Sequence, residues 1–225
     1  MREVVLTAEE QSAISQWSPD SQRRAADILS LYPDKRSAVM PLLYISMIEN
    51  AYVTADGMRQ VGVLTGLSSA QVQSVASFYT MYKREPVGKY LVGVCTSISC
   101  FLRGADDVLT AIEDESGVPD GETDGDGILS IEHVECNGAC GGAPVVLVNW
   151  EMIESVTPEK ARELVKWLRD GQPDVVNTEE MQRVFGGARS FDWGVEEPEG
   201  AVLPVPAFGP YGSVKPFPPH KGGQK

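Results

Sequence analysis

A chain of 225 residues, 42% of them hydrophobic and 23% charged, has the composition of an ordinary globular protein with room for one sizeable core and an appendage. Its 32 Asp and Glu against 19 Lys and Arg leave a net charge of −13, which excludes the basic stripe that a nucleic-acid or anionic-membrane surface needs. No apolar run approaches the roughly 20 residues of a membrane span.

The opening Met1–Glu10 has no signal-peptide core and is too acidic for a transit peptide. The four cysteines are therefore expected in a reducing compartment, where metal or redox roles outweigh disulfides.

Residues 1–17 carry no assignable element. Ser18-Pro19-Asp20 predicts a helix start, with Ser as the cap and Pro in the first turn, running to about Tyr32 and stopping before Pro33. A second apolar helix is expected from about Arg36 to Glu49, starting near Pro41 or kinked there. Thr54 caps a third, which Gly66 ends. Ser68 and Gln71 have capping-box spacing and open a fourth. Residues 1–85 read as a helical module.

Glu85–Lys89 then leads into a second region, 86–172. The expected order is a strand (90–94), a loop with Cys95 and Cys100, a helix (about 101–113) and an acidic loop. A strand (128–133), a loop with Cys136 and Cys140, strands near 145–149 and 151–153, and a helix capped by Thr157-Pro158 follow. That is the element order of a thioredoxin-like domain. The acidic stretch Glu113–Asp126 lacks the ligand spacing of a calcium loop and reads as a solvated loop. Residues 173–225 read as an extended tail, with seven prolines between Pro198 and Pro219 interleaved with Phe208, Tyr211 and Phe217. The tail is either disordered or laid along a partner.

The chemistry lies in two cysteine pairs, Cys95-Thr-Ser-Ile-Ser-Cys100 and Cys136-Asn-Gly-Ala-Cys140, separated by 35 residues. Both follow strands, so four thiolates can converge. A dithiol redox site would place two cysteines two residues apart, and no such pair occurs. Structural zinc and an iron–sulfur cluster both take four thiolates, and spacing alone leaves them level. Gly138, Gly141 and Gly142 would let backbone N–H groups approach the sulfurs, and Arg103 could add positive charge. His133 and His220 stand in no ligand motif and read as structural or surface residues.

The flanks narrow the choice. Gly88-Lys-Tyr-Leu-Val-Gly-Val-Cys95 through Arg103-Gly104, with Val134-Glu-Cys-Asn-Gly-Ala-Cys-Gly-Gly-Ala-Pro144, closely resembles the small 2Fe-2S subunit of NADH:quinone oxidoreductase, respiratory complex I. Tyr32-Pro33, Ala38–Glu49 and Ser77–Met81 resemble that family's helical module, and Thr157–Lys160 the start of its last helix. The likeness covers about residues 20–172. Asn137 stands where the family often has Leu.

The resemblance implies an α+β protein: an N-terminal helical bundle, a thioredoxin-like 2Fe-2S ferredoxin domain and an extended Pro-rich tail. Cys95, Cys100, Cys136 and Cys140 would hold one 2Fe-2S cluster that exchanges single electrons with FMN. FMN and NADH would be bound by a neighbouring flavoprotein subunit, with the large iron–sulfur subunit adjacent. No catalytic residue is expected in this chain, which would act as one subunit of an NADH dehydrogenase. It would lie peripherally on the cytoplasmic side of a bacterial inner membrane, with no nucleic-acid contact and no insertion of its own. The NAD-linked hydrogenases and formate dehydrogenases use related modules, and a zinc-stabilised interaction module is the reading from another class.

Overall fold

The computed structural model describes residues 5–190 and 200–201, which fall into two compact units dividing between Glu85 and Pro86. In the first unit, helix α1 (Ala8–Ala13) stands where the sequence assigned nothing. Thr7 caps it, and Glu10 returns a bond to the Thr7 N–H, completing a capping box that Thr7-Ala-Glu-Glu10 spells out. α2 (Pro19–Leu31) begins on Ser18 as expected, with Pro19 in its first turn.

A single 3₁₀ turn (Lys35–Ala38) precedes α3 (Val39–Asn50), so Pro41 lies in the first helical turn, where its missing N–H breaks no bond. α3 buries Val39, Leu42, Leu43, Ile45 and Met47, and packs on α2, on α4 (Ala55–Thr65) and on α5 (Ser69–Phe78). It is the centre of the module. Gly66 closes α4 at φ +71°, and the Ser68–Gln71 capping box opens α5.

The second unit is built on a four-stranded sheet in the order β2-β1-β3-β4. β1 (Tyr90–Cys95) runs parallel to β2 (Leu129–Val134), and β3 (Val145–Val148) and β4 (Glu151–Glu154) extend it antiparallel. The parallel pair requires a crossover, which the expected helix supplies in two pieces: α6 (Ile98–Leu102) and α7 (Ala105–Ser116). Gly104 separates them at φ +89°, a conformation that suits glycine. β3 and β4 join through Asn149-Trp150, both at positive φ.

α8 (Pro158–Gly171) starts on Thr157 and packs along α7, burying Ala161, Leu164, Val165 and Leu168. Three ion pairs flank that packing, Arg162–Asp114, Lys166–Glu115 and Arg169–Asp124. The architecture is α+β, with the strand–helix–strand, hairpin and helix order expected.

The segment after residue 172 departs from the extended expectation. β5 (Val176–Asn177) and α9 (Thr178–Phe185) follow directly, and α9 packs on β4 and α8. Met181 (0% exposed) and Phe185 (4%) enter the core, with Phe185 against Trp167 at 5.5 Å between ring centroids. Apolar residues about one helical turn apart share a face and gain more from burial than from water. Asn177 caps the helix by accepting from the Glu180 N–H. A two-residue strand, β6 (Gly200–Ala201), pairs with β5. The Pro-rich stretch beyond, with Phe208, Tyr211, Phe217 and His220, lies outside the described residues.

Candidate metal centre

The parallel register decides where the cysteines meet. β1 and β2 pair from Tyr90↔Leu129 to Cys95↔Val134, so their carboxyl ends emerge side by side. Cys95 is the last residue of β1, and Cys136 follows the end of β2 by two residues. Cys100 sits within α6 rather than in a loop, and Cys140 opens a 3₁₀ turn, Cys140–Gly142. The peptide that ends this turn region, Ala143–Pro144, is cis.

All four thiols are free. The sulfurs of Cys136 and Cys140 are 3.6 Å apart. The Cys95 thiol and the Val145 N–H lie beside the Cys100 thiol, and Cys140 is close enough for its charge to be felt there. The structure thus places Cys136 beside Cys140 and Cys95 beside Cys100, with Cys140 within electrostatic range of Cys100. One pair is buried, Cys95 at 2% and Cys100 at 3% exposure, while Cys136 and Cys140 face solvent. Burial, reinforced by the neighbouring Cys95 and Cys140, pushes the Cys100 thiol up to about 11, against the opposing pull of the Val145 N–H.

Gly138, at φ +82°, donates its N–H to the Cys136 sulfur at 3.4 Å, as its position suggested. Gly141 and Gly142 have a different reason to be glycine. A Cβ on Gly142 would lie 1.9 Å from Glu154 Oε2, and one on Gly141 would lie 3.1 Å from Ser190 Oγ. The close approach there is to Glu154 and Ser190, residues the sequence did not single out. The one signal for Glu154 was an acidic residue closing a buried strand.

The candidate donors are all sulfur. His133 Nδ1 is held 2.6 Å from Asp120 Oδ2 on an exposed edge. Arg103 is an exposed C-cap of α6. Part of the acidic stretch is helical, and its carboxylates bond to protein groups: Glu113 accepts from the Asp120 N–H and Asp124 from the Ile128 N–H. Among the described residues no group of three or more His, Cys, Asp or Glu stands close enough to hold a metal ion, so the thiols stand as two pairs. Four thiols grouped in two pairs suit a [2Fe-2S] cluster, in which each iron takes two protein sulfurs.

Residues 25–169 match the family described as thioredoxin-like [2Fe-2S] ferredoxin. The chain is 48% identical over 149 residues to an NADH-quinone oxidoreductase subunit of Mycobacterium tuberculosis (strain ATCC 25618 / H37Rv), covering 66% of this chain and 59% of that one. It therefore spans less than two thirds of the mycobacterial relative's length. Identity is 37% to the subunit of the same name from Rickettsia bellii (65% of this chain, 89% of that one). It is 35% to an NADH-quinone oxidoreductase subunit of Thermus thermophilus (68% and 86%). A crystal structure of an NAD+-reducing [NiFe]-hydrogenase overlays with a TM-score of 0.52 at 16% identity, covering 59% of this chain and 23% of that one, a likeness of fold. No helix among the described residues is long and apolar enough to cross a membrane.

Proposed function

Because the chain belongs to the thioredoxin-like [2Fe-2S] ferredoxin family, we propose that it is the small electron-transfer subunit of an NADH:quinone oxidoreductase, with Cys95, Cys100, Cys136 and Cys140 holding its cluster. The observation that supports this reading is that two pairs of free thiols follow the adjacent carboxyl ends of β1 and β2. The names of the relatives supply the host complex.

When bound, the cluster takes up and releases one electron at a time. The protein's part is to hold and tune. Cys95 and Cys100 shield one side from water, and the exposed Cys136–Cys140 side leaves an approach for a redox partner. The Gly138 N–H donates to the Cys136 sulfur and the Val145 N–H lies beside that of Cys100, which favours the more negative, reduced state. Cys100 must give up its proton when the site is loaded.

In this reading NADH and FMN are held by a neighbouring flavoprotein subunit, with the large iron–sulfur subunit beside it. The chain sits peripherally on the cytoplasmic face of a bacterial inner membrane through those partners. Absorption and EPR spectra of the purified chain before and after dithionite test the cluster. About two irons and one unpaired spin per reduced chain are expected. A colourless, EPR-silent chain that holds one zinc even after anaerobic reconstitution with iron and sulfide overturns the reading.

A further inference from the structure

Glu154 ends β4 at 4% exposure, yet among the described residues no Lys, Arg or His forms an ion pair with it. Arg189, next to Ser190, is engaged by Glu179 at 2.8 Å. Among the same residues, the bonds its carboxylate receives come from Ser190, whose N–H and Oγ–H both reach Oε2 at 2.6 Å. Burying a carboxylate without a cation is costly, and two donors offset that cost only in part.

Its surroundings are held from three sides. Gln182 Oε1 accepts from the Glu154 N–H, and Gln182 Nε2 donates to the Glu154 carbonyl. Gly187 N–H also donates to that carbonyl, and Ser155 N–H donates to the carbonyl of Gly142 at 2.5 Å. The Gly142 backbone lies directly against the carboxylate, two residues after Cys140. Across the β3–β4 pair, Glu154 stands opposite Val145, whose N–H lies beside the Cys100 sulfur. The carboxylate is therefore beside the supports of both cysteine pairs.

We propose that Glu154 is a positioning residue that sets the electron affinity of the cysteine centre: wedged between Gly142 and Ser190, its fixed negative charge disfavours adding an electron there. The Val145 and Gly138 N–H groups act in the opposite sense, so the potential reflects a balance between backbone donors and one buried carboxylate. The inference rests on the iron–sulfur reading above. In an effective dielectric near 20, one charge shifts a one-electron equilibrium about tenfold or more at any separation under about 12 Å.

The test is a mediated dithionite titration of the loaded full chain, followed by EPR, with Glu154→Gln and Ser190→Ala compared to the parent. Glu154→Gln is expected to keep its iron and sulfide and to raise the reduced-to-oxidised ratio at a fixed potential about tenfold, equivalent to about 59 mV for one electron. Ser190→Ala keeps the charge and removes one donor that balances it, so the ratio falls, by about two- to threefold. Opposite signs distinguish a charge effect from simple loosening, which would move both variants the same way. An unchanged potential in a loaded Glu154→Gln chain overturns the proposal and leaves the cluster reading intact. If Glu154→Gln fails to load, Ser190→Ala decides: a fall supports the role, no change overturns it. A parent chain that never takes up iron and sulfide overturns both readings together.

Discussion

The Val145 backbone N–H lies beside the Cys100 thiol, bringing the strand that follows the second cysteine pair against the helix that carries Cys100. Burial of Cys100 and Cys95 makes the two pairs unequal: one belongs to the core and the other to the surface.

That inequality is measurable in the metal-free chain. At pH 8 Cys136 and Cys140 are expected to alkylate quickly and Cys95 and Cys100 slowly. With the Cys100 thiol pushed up to about 11, only roughly a thousandth of it is thiolate at pH 8. Its labelling rate rises as the pH approaches that value. Mass spectrometry of iodoacetamide adducts reads this directly, and four equal rates would contradict the buried pair.

The four alanine variants divide in the same way. Each is expected to abolish stoichiometric cluster binding, measured as iron and acid-labile sulfide. In the metal-free chain Cys136→Ala and Cys140→Ala change stability by less than about 0.5 kcal/mol. Cys95→Ala and Cys100→Ala each cost about 1 kcal/mol through lost core contacts. Denaturant melts of the four separate the two groups.

α9 is expected to be structural. Met181→Ala empties a fully buried position and should cost about 2–4 kcal/mol. Removing residues 173–225 should destabilise the second unit at least as much, because Trp167 loses Phe185. A truncated chain with an unchanged denaturant midpoint would contradict the packing of α9.

Gly142→Ala places a methyl where Glu154 Oε2 now sits, against a side chain locked by Ser190. Overpacking of this kind costs about 1–3 kcal/mol. Gly66→Ala meets no neighbour but is held at φ +71°, and should cost about 1 kcal/mol through backbone strain alone. Thermal melts compare the two costs, and iron analysis distinguishes them further, since only Gly142→Ala should also impair cluster loading.

In the helical module, burial by itself raises the pKa of Glu10, but the Lys35 ammonium and the Thr7 N–H and hydroxyl outweigh it and hold the carboxyl below its ordinary value. A carboxyl depressed in the folded state stabilises the protein above its unfolded pKa of about 4 and loses that contribution as the pH falls through the folded value. Glu10→Gln should therefore cost about 1 kcal/mol at pH 7 and nothing once both carboxyl states are protonated. Urea melts at pH 7 and at progressively lower pH check the sign.

Much of this protein is set within four or five residues along the chain. The Ser18, Ser68 and Thr157 caps, the Gly66 stop and the strands feeding each cysteine pair follow from local hydrogen bonding and periodicity, which act between near neighbours. The capping box from Thr7 to Glu10 is just as local, and it marks α1 in a lead segment whose short apolar pattern alone does not. Sequence by itself determined the candidate ligand types, their pairing along the chain and the order of the elements.

Tertiary structure decided which pair is buried, why Gly141 and Gly142 are glycines, and that α9 joins the core. Those outcomes rest on contacts between distant residues: Glu154 with Ser190, 36 positions apart, and Glu154 with Gln182, 28 apart. Such contacts form only after the sheet has set its register, and no local pattern encodes which carboxylate will lie against which glycine.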